Sequence, residues 1–145
     1  MQQSISEILT AVRAVYQDLA QRPVQRDCQA RTECCQFQLT GLTPHLTKGE
    51  ALLAAKAYRA TGRREFPETD DGVCPLLKRA TGQCLIYADR PFGCRTHFCA
   101  AAGGPYARKE VLDLIRRLEA LDVQLKGDGP RKLFVAVADA LAEMR

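Results

Sequence analysis

The chain has 145 residues, a net charge of +4, 46% apolar and 26% charged residues. At this length a chain buries about 68% of the surface its unfolded form exposes, so a one-domain core is attainable without disulfide staples. The mild positive charge, 6% aromatic content and lack of tryptophan argue against a dedicated nucleic-acid binder, and no run approaches the roughly 18 apolar residues that span a bilayer.

The opening residues Met1-Gln-Gln-Ser-Ile-Ser-Glu carry neither a basic n-region nor an apolar h-region, so a cytoplasmic location is expected. Ser4-Ile-Ser-Glu7 reads as a capping box. Ile5, Ile8, Leu9, Val12, Tyr16 and Leu19 then recur at helical spacing, predicting a core-facing helix that ends before Pro23. Residues 23–46 keep neither helical nor strand period and read as loop. A second capping box, Thr47-Lys-Gly-Glu50, opens a short helix through Leu52, Leu53, Ala54, Ala57 and Tyr58, closed near Gly62. Polar sequence follows, and the Thr81-Gly82 turn signal between two short apolar pieces predicts a small hairpin. Arg90-Pro91 starts a turn or short helix into Cys94 and Cys99. Pro105 suits the first turn of a helix whose stripe is Val111, Leu114, Ile115, Leu118, Leu121 and Leu125. Gly127-Asp-Gly-Pro130 separates it from a last helix with Leu133, Phe134, Val137, Leu141 and Met144. The last two helices are expected to form an antiparallel hairpin packed on the first.

The expected fold is therefore mainly α. It is one domain over residues 1–145, with helices at 4–21, 105–126 and 130–144 flanking a cysteine-rich loop centre at 28–99 that includes a short β-hairpin. All seven cysteines fall in that centre: Cys28, Cys34, Cys35, Cys74, Cys84, Cys94 and Cys99. An isolated cysteine is most often a small buried apolar residue. Seven confined to Gly/Pro-punctuated sequence, in a compartment that keeps thiols reduced, point instead to metal. An odd count also excludes a full set of intrachain disulfides. Thiolate is the ligand form, and Arg90 and Arg95 lie beside Cys94, where their charge favours it.

The closing half, Cys84-Leu-Ile-Tyr-Ala-Asp-Arg-Pro-Phe-Gly-Cys-Arg-Thr-His-Phe-Cys99, resembles the CxxCxxCC (YkgJ-type) cysteine-cluster family of zinc- or iron-chelating domains. Cys74-Pro-Leu resembles that family's intermediate cysteine, and Thr47–Glu50 its helix opening. The family's C-x2-C-x2-C-C opening is only partly kept. Laid on Cys28-Gln-Ala-Arg-Thr-Glu-Cys-Cys, it puts Arg31 where the second cysteine belongs. Arginine is not a usual metal ligand, so His97, between Cys94 and Cys99, is the natural substitute, with His45 the weaker one. The resemblance implies metal binding. It also implies an alternative as an iron–sulfur redox protein, since relatives are labelled iron–sulfur oxidoreductases and a flagellin lysine methylase is grouped with them.

Seven cysteines and His97 make eight donors, enough for two tetrahedral zinc sites; four cysteines alone would carry one iron–sulfur cluster. The spacing lacks the tight C-x2-C-x2-C of ferredoxins, which favours zinc. No Ser/His/Asp set, GxGxxG or P-loop is present, so no catalytic constellation is identified. The C-x-x-C of thiol–disulfide proteins is missing as well. Arg63-Arg64, Lys78-Arg79, Arg116-Arg117 and Arg131-Lys132 are scattered along the chain, which leaves a nucleic-acid-binding zinc module as the weakest reading. The expected partner is the metal ion alone, with no membrane.

Overall fold

The computed structural model describes residues 4–22, 44–63, 66, 74–78, 81, 83–96 and 108–144. In chain order these form helix α1 (Ile5–Ala20), strand β1 (His45–Leu46), α2 (Lys48–Ala60), β2 (Leu77–Lys78), β3 (Gln83–Cys84), a 3₁₀ turn (Tyr87–Asp89), α3 (Phe92–Thr96), α4 (Arg108–Gln124), β4 (Arg131–Lys132) and α5 (Leu133–Glu143). The protein is mostly helical, as its sequence predicts.

Ser4 caps α1, its hydroxyl accepting the Glu7 N–H at 3.2 Å. The buried face is Ile8, Leu9, Val12, Val15, Tyr16 and Leu19. Ile5, expected in the stripe, is 59% exposed because the first turn projects beyond the core. Phe134 and Met144, expected in the α5 stripe, are only half-buried; Ala136 and Ala140 take the interior positions beside Val137.

The main departure concerns α2. Gly49 through Ala55 and Tyr58 are all buried, Glu50 included, so the first two turns of this short helix are enclosed nearly all round and it takes the centre. Small residues let its neighbours approach closely: a Cβ on Gly49 would stand 3.0 Å from Val12 Cγ2 of α1. The principal partner of α5 is α2, and α4 lies on α1 and α2. The last two helices thus pack on the middle of the chain, not as a hairpin on α1 alone. The described helices share one hydrophobic core with Leu53, Leu114, Leu133 and Val137 at its heart.

Two small ribbons complete the frame. β1 pairs antiparallel with β4, His45 opposite Lys132 and Leu46 opposite Arg131. This pairing has no signal in the sequence. β2 pairs with β3, Leu77 opposite Cys84 and Lys78 opposite Gln83, which is the hairpin expected about Thr81-Gly82.

Candidate metal centre

The hairpin carries two of the candidate donors. The Leu77 N–H donates to the Cys74 carbonyl at 3.0 Å, and Leu77 faces Cys84, so one tight turn and one strand pair link the two cysteines. Cys74 is 3% exposed and belongs to the hydrophobic core, whereas Cys84 is half-buried. Beyond β3, Asp89 of the 3₁₀ turn holds Arg13 of α1 through two hydrogen bonds of 3.1 and 3.2 Å. That pair ties the 3₁₀ turn to α1.

Pro91 then enters α3, which presents Cys94, also half-buried. Three groups hold this five-residue helix. Phe92 is buried beneath it. Its N–H, the first of the helix, donates to Glu50 Oε2 at 2.8 Å. Arg95, next to Cys94, donates to the carbonyls of Arg90 and Ala88 at 2.7 and 2.6 Å, and its guanidinium lies 4.2 Å from the Tyr16 ring centroid. This stacking on an aromatic face anchors the cation. Cys94 lies within electrostatic reach of both Tyr16 and Arg95.

Glu50 is the hub behind α3. Its Oε1 accepts the Thr47 N–H and hydroxyl at 3.4 and 3.0 Å; its Oε2 accepts Phe92 N–H and the Tyr16 hydroxyl, the latter at 3.2 Å. Burial pushes the Glu50 carboxyl above its ordinary range despite these donors. Burial also pushes the Tyr16 hydroxyl well up, with the Glu50 charge adding to it. Desolvation, then Arg90, lowers the Arg95 guanidinium. Sequence reasoning placed Glu50 in a capping box and Tyr16 in an apolar stripe and gave neither a part in the site. The available signal was the tyrosine itself, because a buried Tyr O–H finds a polar partner.

His45 stands on β1, which packs against α3. A Cβ on Gly93 would come 3.3 Å from Pro44 Cβ, and His45, Gly93 and Thr96 line one cavity of about 350 Å³ reaching to α4. The fold thus brings His45 close to the turn that bears Cys94. Cys28, Cys34, Cys35, Cys99, His97 and Arg31 lie outside the described residues.

Tested as a metal site, the donors fit in kind. Cys84 and Cys94 offer soft sulfur, the chemistry zinc and iron take. Glu50 does not join them, since both its oxygens are already engaged. Among the described residues no three His, Cys, Asp or Glu side chains come together as a metal-binding group. A complete site therefore needs donors from outside the described residues.

A family model named CxxCxxCC, with the description "Putative zinc- or iron-chelating domain", matches residues 26–115. That span takes in all seven cysteines, α2 and α3. No curated protein and no solved structure matches the chain. No helix among the described residues is long and apolar enough to cross a membrane. On the family match, which spans more than half of its length, the chain belongs to the CxxCxxCC family of zinc- or iron-chelating domains.

Proposed function

We propose that the protein holds zinc through cysteine thiolates in a structural or regulatory role, in the reducing environment of the cytoplasm. The proposed donors are Cys34, Cys35, Cys84, Cys94 and Cys99, with Cys28, Cys74 and His97 completing the set. The observation that carries this reading is the setting of Cys94. Cys94 is half-buried on a short helix pinned by a buried carboxylate, within electrostatic reach of the stacked, hydrogen-bonded Arg95 guanidinium. A thiolate beside a fixed cation is stabilised, and a pinned ligand has less conformational freedom to lose on binding. Zinc so bound would supply folding energy and no redox chemistry.

Elemental analysis of protein purified anaerobically without added metal, together with its visible spectrum, tests the reading. Near-stoichiometric zinc and a colourless protein are expected. Iron with a sulfide-to-iron band would replace zinc by an iron–sulfur cluster. Substoichiometric content of both metals would remove the metal-binding reading altogether.

A further inference from the structure

The carboxylate of Glu50 is 42 residues from Phe92 in sequence, 3% exposed, and hydrogen-bonded to three different parts of the chain. A helix N-cap needs only the Thr47 side of this arrangement. The other oxygen does something else, joining α1, through Tyr16, to the first N–H of the helix that presents Cys94. Tyr16 in turn is the platform on which Arg95 stacks. One buried acid therefore connects the start of the Cys94 helix to the ring on which the neighbouring cation stacks.

We propose that Glu50 is the positioning residue of the metal centre: it acts through Phe92 N–H and Tyr16 to hold Cys94 in ligating geometry, with the Arg95 cation kept on the Tyr16 ring, without itself touching the metal. The inference rests on the reading of Cys94 as a ligand. Groups that orient metal ligands commonly change affinity 10–100-fold when removed. Glutamine cannot replace Glu50. Each of its oxygens accepts a backbone N–H, Thr47 on one side and Phe92 on the other, so an amide NH₂ would meet a donor in either orientation.

The test is a titration of the metal-stripped, reduced full chain with Co²⁺, followed by displacement with Zn²⁺, for wild type, Glu50→Gln, Tyr16→Phe and Asp122→Asn. Asp122 is an equally buried carboxylate that makes no contact with α3 in its hydrogen bonding and serves as the structural control. Wild type is expected to give a thiolate-to-cobalt charge-transfer band. Glu50→Gln should bind about 10–100-fold more weakly with a shifted band, Tyr16→Phe less severely in the same direction, and Asp122→Asn like wild type. If Glu50→Gln does not fold by circular dichroism, Tyr16→Phe, which loses only a hydroxyl, decides the matter. Unchanged affinity and band in the folded Glu50 or Tyr16 variant would overturn the proposal. So would losses that follow stability equally in all three variants, since that marks a structural role only. A wild-type chain with no thiolate–cobalt band overturns the metal reading itself, and the role of Glu50 with it.

Discussion

The carboxylate of Asp122, close to the end of α4, accepts the backbone N–H of Lys48 at 2.7 Å, across 74 residues of sequence. Its other oxygen accepts Gly129 N–H at 2.9 Å. One buried side chain thus caps the start of the central helix α2 and ties down the loop that leads to α5. Asp122→Ala leaves two partly buried N–H groups without their acceptor. It is expected to lower stability by about 2 kcal/mol, read from the urea midpoint at unchanged slope.

Gly127 lies against the same carboxylate. A Cβ there would stand 2.3 Å from Asp122 Oδ1, which no side chain tolerates without movement. Gly127→Ala should therefore cost about 1–3 kcal/mol. In the Gly127→Ala/Asp122→Ala double variant much of that cost should vanish, because the clash partner is gone. Simple additivity in the thermodynamic cycle would contradict this account.

The buried Glu50 carboxyl has a folded-state pKa raised by desolvation. Facing it are the Tyr16 hydroxyl from α1, the Thr47 hydroxyl and N–H at the start of α2, and Phe92 N–H from α3, with the Arg95 cation beyond the Tyr16 ring. For an acid raised on folding, the native state binds the proton first. Its contribution to stability is fully present below the unfolded pKa, about 4.3, and is lost as pH rises through the folded value. Wild type should thus gain stability relative to Glu50→Gln as pH falls from 7 toward 4. Denaturant melts of both chains across that range check the sign, and a difference that shrinks on acidification would contradict it.

The described cysteines should separate by burial. Cys74 lies in the core, and Cys74→Ser places a hydroxyl there. That substitution is expected to cost about 1–3 kcal/mol even in metal-free protein. Cys84→Ser and Cys94→Ser, at half-buried positions, should cost the metal-free protein less than Cys74→Ser does while lowering metal content. Thermal melts with and without chelator, alongside elemental analysis, distinguish the two behaviours.

Metal removal should loosen the cysteine-bearing segments on either side of α2, residues 28–35 and 74–99, ahead of α1, α2, α4 and α5, because ligand bonds and local folding are coupled. Limited proteolysis of stripped and loaded protein reads this out. Cleavage is expected first within the cysteine-bearing segments of the stripped form, and equal sensitivity of the two forms would refute it.

What the sequence determined by itself is the local order of this protein. Ser4 and Thr47 announce the starts of α1 and α2, and apolar residues at helical spacing mark α1, α4 and α5. The Thr81-Gly82 signal places the β2–β3 turn, and the spacing from Cys84 to Cys99 carries the family resemblance. Each of these depends on residues a few positions apart, so short-range geometry suffices. Tertiary structure decided the rest. It made α2 the centre of the core, turned Ile5 outward, paired β1 with β4, brought His45 to the α3 turn, and gave Glu50 and Asp122 their distant backbone partners. A buried acid shows its partners only once the chain has closed around it: desolvation demands donors for Glu50, but packing alone chose Tyr16 and Phe92.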